Sequence, residues 1–510
     1  MPGSATPIDA PTAWGFLLVL AIMLPAGCTL LGMLFGGRVA ERIVLAMLPA
    51  GFAVSLAIAI LISRTKQPLV YFLGGWAPPL GVALWADGLS AVMLVSTALL
   101  MCGIALFARA DFQTPSGMSE ARAPLVFWTL LPGLWGALNA VFLGRDLFNL
   151  YVALELLTFA AVPLVGLDGR PETQTAALRY LLFALLGSVM YLLGTALLYG
   201  TYGTLDIPLL AERMQNERAA WIAAALMTTG LLAKAALFPL HLWLPPAHAG
   251  APAPASAILS SLVVKAPFFL VVRLWFYAMP GLLNRPAAPL LGALGAAAVL
   301  FGSMLALRQA RLKLLIAYST VAQIGYLFLM FPLAGGNGAG QLLSSAAWTG
   351  GAFQMVSHAF AKAAMFTGAG LIAQALGHDR ISDLRGIGRA LPMTTFGLGF
   401  AGLSLMGLPP SGGFLAKWFL LIASIVTDQW WWALVMLAGT LLAGGYLYRV
   451  MAPLLSDVDE PLVLRQAVPW HREAVVLALA ICSVLLGILP LGLSELLQIG
   501  QPAFASLALQ

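Results

Sequence analysis

The sequence predicts an all-α, polytopic membrane protein with about fourteen transmembrane helices. Of its 510 residues, 61% are hydrophobic and only 9% are charged, whereas a soluble domain carries roughly 25% charged residues. Apolar runs of about 20 residues, the length that crosses a bilayer, recur along the whole chain. These runs are continuous and do not alternate with polar residues, which favours helices over a transmembrane barrel.

Fourteen spans follow from these runs, and short polar connections separate them. The longest extramembrane pieces, near 201–218 and 454–473, are too small to fold as a catalytic domain. We therefore expect the chemistry to take place within or beside the membrane. The predicted spans are 14–36, 43–63, 79–107, 123–143, 147–167, 177–200, 219–242, 252–279, 287–307, 312–333, 341–377, 391–425, 430–453 and 474–498.

Helix-breaking residues interrupt the seventh and twelfth spans, and their order predicts an internal repeat. In the seventh span Lys234 precedes the break at Pro239, whereas in the twelfth the break at Pro409 and Pro410 precedes Lys417. This reversal is expected of two inverted five-helix repeats, spans 4–8 and 9–13. The alternative, that the prolines only kink packed helices, suits one site better than two matched ones. The predicted division is 1–122 (helices 1–3), 123–279 (first repeat), 280–453 (second repeat) and 454–510 (a loop and helix 14).

The distribution of positive charge predicts the orientation of the chain. If both termini lie on one side, the loops on the opposite side hold fifteen lysines and arginines, and those on the terminal side hold six. Loops rich in positive charge stay in the cytoplasm. Both termini are therefore predicted on the outer side of a bacterial inner membrane. The same bias accounts for the net charge of +6 without a nucleic-acid partner.

Four of the six lysines fall inside predicted spans: Lys234, Lys265, Lys362 and Lys417. A lysine at mid-membrane costs on the order of 2.5–3.5 kcal/mol by insertion scales. Pairing, hydration or loss of the proton offsets this cost, and lysine can lose its proton whereas arginine stays charged. The alternative is that long side chains snorkel to the interface, which suits Lys417 best and Lys234 least. The set as a whole favours a proton-relay path.

One carboxylate, Glu155, lies deep in a span, and it can neutralise one lysine at most. This imbalance indicates a hydrated path more than a set of structural ion pairs. Histidines add to the titratable groups. His241 follows Lys234 by seven residues, so the two are expected to share a helix face until the helix breaks, and His358 and Lys362 are i,i+4 neighbours on one helix face. For each histidine the alternative is an ordinary hydrogen-bonded residue of the core.

No cofactor or metal site is predicted in this chain. Cys28, Cys102 and Cys482 occur singly and form no CxxC pair, so neither a cluster nor a disulfide framework is implied. The segment GGNGAG at 335–340 connects two spans and is not the strand-to-helix turn that binds a nucleotide. Three histidines near membrane depth do not supply the facing pairs of a bis-histidine haem.

Four segments, DLFNLYVALELL, LLAKAALFPLHLWLPPAHAGAPAPASAILSSLVVKAP, LLIAYSTVAQIGY and GLPPSGGFLAKWF, occur within roughly residues 80–450. Together they resemble the antiporter-like subunits shared by respiratory complex I, membrane-bound hydrogenases and Mrp-type cation/proton antiporters. In length and helix layout the chain is most similar to the D-type subunits of Mrp-type antiporters. Helix 14 is followed by no long lateral helix, which argues against the distal complex I subunit.

The resemblance implies roles for the buried charges. Glu155 matches the fifth-helix glutamate of the family, and Lys234 matches its partner lysine on the broken seventh helix. Lys265 matches the central residue of helix 8. Lys417 matches the terminal residue of helix 12, which is a glutamate in one complex I subunit and a lysine in other types.

Helix 11 carries a polar connection in this family, and His358 and Lys362 fall at that place. With His241 they form a predicted secondary relay beside the main one. Gln323 stands in AQIGY where many relatives have a histidine. This departure argues against a proton-transfer role at Gln323.

The resemblance leaves two functions open. The first is a proton-translocating subunit of a multi-subunit Mrp-type monovalent cation/proton antiporter, with sodium, potassium or protons alone as the ions. The second is a proton-pumping membrane-arm subunit of a complex I-like NADH:quinone oxidoreductase or membrane-bound hydrogenase. Both imply other membrane subunits as partners within the lipid bilayer, and neither implies a cofactor in this chain. A structural scaffold with an inactive channel is a third hypothesis. The full set of buried charged residues argues against it.

Overall fold

A computed structural model describes residues 10–283, 286–334, 341–456, 464–489 and 492–502. The segment 335–340, predicted as a connection between spans, lies outside these residues. The helices are α1 (Phe16–Phe35), α2 (Gly37–Thr65), α3 (Gly88–Ala108), α4 (Arg122–Leu143), α5 (Leu147–Val165), α6 (Pro171–Tyr202), α7 (Ile207–Arg213), α8 (Arg218–Lys234), α9 (Leu244–Gly250), α10 (Ala253–Ile258), α11 (Lys265–Arg273), α12 (Ala287–Leu307), α13 (Leu312–Phe328), α14 (Met330–Ala334), α15 (Gln341–Leu376), α16 (Ile387–Ala390), α17 (Pro392–Met406), α18 (Gly412–Val426), α19 (Trp430–Leu455), α20 (Trp470–Ile488) and α21 (Leu493–Gln498). Strands β1 (Leu69–Phe72) and β2 (Ala83–Ala86) form an antiparallel hairpin.

Among the described residues, twelve helices are long and apolar enough to cross a membrane. The chain is therefore an all-α, multi-pass membrane protein, as predicted. The twelve correspond to predicted spans 1–6, 8–11, 13 and 14. Spans 7 and 12 are missing from this set because breaks divide them into pieces of 17 residues or fewer.

Both predicted breaks are present. In span 7, α8 ends at Lys234, and turns occupy 235–243 before α9 begins. In span 12, α17 ends at Met406, and α18 begins at Gly412 with Ser411 as its N-cap. Non-helical backbone at membrane depth is tolerated only where protein or cavity water satisfies its polar groups. The breaks therefore require polar partners.

Span 8 contains a third irregularity that the sequence did not indicate. Two π-helical segments, Leu259–Val263 and Leu274–Ala278, flank α11. A π-turn shifts the side chains that follow it and leaves a carbonyl group free for another donor. Lys265 comes two residues after the end of the first of these segments, so its direction depends on the π-turn.

Glycine residues set the closest helix approaches. A Cβ atom at Gly194 of α6 would lie 2.7 Å from the carbonyl oxygen of Ala223 in α8. Gly295 of α12 and Gly325 of α13 approach each other equally closely, since a Cβ atom on either meets the other's carbonyl oxygen. Small residues allow membrane helices to pack backbone against backbone. The helix α8, which carries Lys234, is thus packed closely against α6.

We expect Gly194→Ala to destabilise the protein by about 1–3 kcal/mol, because the added methyl group overpacks the contact between α6 and α8. Gly200→Ala on the same helix is the matched control, since no atom lies within 4 Å of a Cβ there. The measurement is thermal unfolding in detergent. An equal melting temperature for the two variants would contradict the close packing.

Candidate functional site

Lys234 and Glu155 form an ion pair inside the membrane domain. Lys234 Nζ lies 2.8 Å from Glu155 Oε1 and 3.0 Å from Thr158 Oγ1, and the two charged side chains are 6% and 14% exposed. The hydroxyl of Ser188 in α6 donates to the same carboxylate oxygen. The pair therefore joins three helices, α5, α6 and α8. The hydroxyl groups of Thr158 and Ser188 supply the additional hydrogen bonds that a buried charge needs.

The local sequence explains why Lys234 stands at the end of a helix. After it, Ala236 adopts a left-handed φ of 55°, and Trp243 Nε1 donates to the carbonyl oxygen of Ala233 at 2.9 Å. The chain thus leaves the helix immediately after the lysine. A cation in the last turn interacts favourably with the negative end of the helix dipole. The break therefore stabilises the charge on Lys234 together with Glu155.

Lys265 is fully buried, and its partner is a backbone oxygen. Its ammonium group donates to the carbonyl oxygen of Ser260, five residues earlier, in the π-segment. The hydroxyl of Ser260 in turn lies 2.9 Å from that of Thr320 in α13. A carboxylate partner for Lys265 is absent from the described residues.

Lys362 is likewise held by neutral oxygen atoms. Its ammonium group donates to the carbonyl oxygen of Ile316 at 3.0 Å and to the hydroxyl of Ser319, both in α13. His358, one turn earlier on α15, is buried, and neither ring nitrogen has a hydrogen-bond partner among the described residues. Lys362 and His358 are therefore two buried titratable groups one turn apart on the same helix.

Lys417, the fourth buried lysine, lies beside the break between α17 and α18. Its ammonium group donates to the carbonyl oxygens of Leu405 and Met406, each at 2.9 Å, and lies 4.2 Å from the centre of the Tyr326 ring. These carbonyl groups end α17 and have no partner within that helix. Lys417 thus caps the negative end of α17 from α18, and the aromatic face adds a cation–π contact.

Gln323 links this site to α15. Its side-chain nitrogen donates to the carbonyl oxygen of Leu405 at 3.0 Å, and its oxygen accepts from Gln354 at 2.8 Å. Gln323 and Lys417 therefore share one acceptor. From the sequence we inferred only that Gln323 does not transfer protons. The place of Gln323 in the hydrogen-bond network was not predicted.

All four predicted lysines are buried, and the most exposed, Lys417, is 8% exposed. None of them snorkels to a lipid-facing surface. His241 is also buried, but the predicted helix face that it shares with Lys234 does not exist, because α8 ends at Lys234. Among the described residues no hydrogen bond joins His241 to Lys234.

Among the buried charged or titratable groups that the sequence analysis missed are the pair of Arg273 with Asp87, and His248. Arg273 forms a bidentate pair with Asp87, at 2.6 and 2.8 Å, with both side chains 1% exposed. His248 of α9 is fully buried and stacks on Phe366 of α15. Arg273 lies two turns after Lys265 inside an apolar span, which was an available signal.

Across the described ranges, no group of three or more His, Cys, Asp or Glu residues is placed to hold a metal ion. The buried groups around the lysines are amines, hydroxyl groups and the Glu155 carboxylate, which can donate or accept protons. The arrangement can therefore bind, hold and pass protons between amines, hydroxyl groups and one carboxylate.

A family model described as "NADH:quinone oxidoreductase/Mrp antiporter, TM" matches residues 144–443, more than half of the chain. The chain belongs to this family. The matched range includes Glu155, all four buried lysines and both helix breaks. The resemblance drawn from the sequence motifs is thereby confirmed.

Relatives of two kinds are similar to the chain. The N-type subunit of the NADH-quinone oxidoreductase of Desulforudis audaxviator is 33% identical over 416 residues, 79% of this chain and 80% of that protein. The D-type subunit of the Na⁺/H⁺ antiporter of Alkalihalophilus pseudofirmus is 29% identical over 72% of each chain. A chain of the Mrp complex from Dietzia sp. has the same fold, with a TM-score of 0.85, 24% identity and 98% of both chains covered.

We expect Gln323→Leu to destabilise the protein by about 1–3 kcal/mol, because it leaves the Gln354 amide buried without its acceptor. The double variant Gln323→Leu/Gln354→Leu removes both partners and should recover part of this loss. Thermal unfolding in detergent measures both. The single variants Gln323→Leu and Gln354→Leu give the reference. A double variant that loses more stability than the sum of their two losses would contradict this interpretation.

Proposed function

We propose that the chain is the proton-translocating subunit of a multi-subunit, Mrp-type monovalent cation/proton antiporter in a bacterial cell membrane. The observation that carries the proposal is the set of four buried lysines, each bonded to oxygen atoms inside the protein. Intramembrane ionisable groups are expensive and are typical of ion pathways and proton relays. The relative from the Na⁺/H⁺ antiporter of Alkalihalophilus pseudofirmus supports the assignment to an antiporter.

The pair of Glu155 and Lys234 acts as the switch of the proposed mechanism. While the two groups are in contact at 2.8 Å, the carboxylate favours the protonated amine. When they separate, that stabilisation is lost and the proton moves onward to the next acceptor. Only differential contact between two states can drive such a step, and here the contact is an ion pair that forms or breaks.

Beyond the switch, the proposed path passes Lys265, then His358 and Lys362, and ends at Lys417. The three lysines after the switch bond to carbonyl and hydroxyl oxygens, which accept a hydrogen bond without fixing the proton by an opposite charge. Water completes the path between these groups. His241 is assigned a secondary position near the first break.

We also propose that spans 4–8 and 9–13 are inverted repeats. Two isolated antiparallel bridges support this, one between Asp146 and Asp206 and the other between Arg311 and Arg380. Each bridge joins the residue just before the second helix of a repeat to the loop that follows the third helix of the same repeat. In the predicted topology, with both termini outside, the two bridges lie on opposite sides of the membrane, as an in-plane axis requires. The proposed division is 1–122, 123–279, 280–453 and 454–510.

The second candidate is a proton-pumping membrane-arm subunit of a complex I-like oxidoreductase or membrane-bound hydrogenase. It is favoured by the 33% identity to the relative from the NADH-quinone oxidoreductase of Desulforudis audaxviator. The path through this chain would be the same, and redox chemistry on other subunits would drive it. The partners therefore distinguish the two functions.

We expect Glu155→Ala and Lys234→Ala each to abolish cation-driven proton exchange by the assembled complex in membrane vesicles. Removing either partner leaves the other buried charge without compensation and removes the switch. Glu41→Ala is the control, because Glu41 forms an ion pair with Arg109 outside the proposed path. Near-normal exchange in either path variant would refute the relay.

Purification of the intact complex tests which assembly contains the chain. Small hydrophobic antiporter subunits among the co-purifying proteins are expected. Proteins with flavin or iron–sulfur clusters in their place would favour the oxidoreductase.

A further inference from the structure

Three buried serines from three different helices meet in one cluster. They are Ser357 of α15, Ser404 of α17 and Ser483 of α20. The hydroxyl oxygen of Ser404 lies 2.7 Å from that of Ser357 and 2.6 Å from that of Ser483, and the oxygens of Ser357 and Ser483 are 3.3 Å apart. The exposed fraction of each residue is 2% or less. We call these residues the serine cluster. It lies outside the set of charged groups described above, and it includes a residue of α20, which belongs to neither proposed repeat.

Some buried serines of this protein satisfy their hydroxyl groups within their own helix. Ser55 and Ser424, for example, donate to carbonyl oxygens of their own helices, Gly51 and Leu421. That local bond satisfies a serine hydroxyl without a partner helix. The three hydroxyl groups of the serine cluster instead bond to one another across helices, and Ser483 also reaches the carbonyl oxygen of Ser357. The cluster is thus a continuous network between helices.

The serine cluster joins the two helices at the ends of a gap in the proposed path. Ser357 directly precedes His358 on α15, one turn before Lys362. Ser404 directly precedes Leu405, whose carbonyl oxygen accepts from Lys417. The serine cluster therefore connects the helix that carries the middle of the path with the break that holds its last lysine.

A direct hydrogen-bonded link between α15 and this break runs through Gln323, whose amide cannot pass a proton. Its amide nitrogen only donates, its oxygen only accepts, and it ends on a backbone carbonyl group. A serine hydroxyl both donates and accepts. Three hydroxyl groups joined in a ring can donate in either rotational sense, so a proton taken up at one corner can be released at another.

We propose that Ser357, Ser404 and Ser483 form a hydroxyl relay that carries protons between the His358 and Lys362 region and Lys417. This inference rests on the proposed function. A proton that arrives from water on one hydroxyl oxygen displaces that group's own proton to the next oxygen, and the last hydroxyl releases its proton to water beside Lys417. Each oxygen ends with one proton, as it began, and rotation of the three groups resets the relay. Helix α20 thereby supplies a functional group to the path.

The test uses the assembled complex in inside-out vesicles, with the initial rate of cation-driven proton exchange read by a pH-sensitive dye. Ser483→Ala is expected to lower this rate about tenfold, equivalent to about 1.4 kcal/mol in the barrier. Ser357→Ala removes a different corner and is expected to act equally. Ser483→Thr retains a hydroxyl group and should restore most of the rate. Ser55→Ala removes a buried hydroxyl elsewhere and should leave the rate unchanged.

A second measurement separates proton transfer from packing. The ratio of exchange rates in H₂O and D₂O should rise in Ser483→Ala, because the interrupted proton transfer becomes rate-limiting. A normal rate and ratio in both alanine variants, with exchange still abolished in Lys234→Ala, would overturn the relay and leave the proposed function intact. Equal loss in Ser483→Ala and Ser483→Thr with an unchanged ratio would also overturn it. Absence of exchange in the unmodified complex would refute both proposals.

Discussion

The structure is constrained above all by the need to give each buried amine an oxygen partner inside the bilayer. Carbonyl groups inside a regular helix are already bonded to an amide of the same helix. Irregular backbone supplies free oxygen atoms for two of the lysines: Lys417 takes the free carbonyl groups at the end of α17, and Lys265 takes one in a π-segment. Lys362 instead bonds to the Ile316 carbonyl oxygen and the Ser319 hydroxyl of α13. At Lys265 and Lys417 the irregular backbone and the amine therefore satisfy each other. Each would be costly without the other, since unsatisfied backbone groups and unpartnered charges are both disfavoured in lipid.

The buried charges fall into two classes with different consequences. Arg273 with Asp87 is a bidentate pair with almost no exposure, and an arginine does not release its proton. Such a pair fixes structure. Lys234 with Glu155 joins a cation that can be deprotonated to a single carboxylate oxygen, at a helix end where small movements change the contact. This pair is suited to switching, and the lysines after it, held by neutral oxygens, are suited to passing the proton on.

The sequence predicted the membrane fold, the two broken helices and the burial of all four lysines, because length, hydropathy and the positions of prolines carry that information. It missed features that depend on contacts between distant segments. The seven-residue spacing of Lys234 and His241 suggested a shared face, but α8 ends at Lys234. The π-segments around α11, the pairing of Arg273 with Asp87 across 186 positions, and the amide link through Gln323 have no local pattern that marks them. The three serines of the cluster are likewise ordinary residues until three helices bring them together.

The most direct test of the central idea is a high-resolution cryo-electron microscopy map of the intact complex in lipid, read for ordered water. Proton passage requires that the nitrogen atoms of Lys234, Lys265 and Lys362, and then Lys417, be joined through water and hydroxyl groups. We expect the map to show water molecules in each gap between them. Dry apolar packing between successive lysines would contradict a relay through this chain.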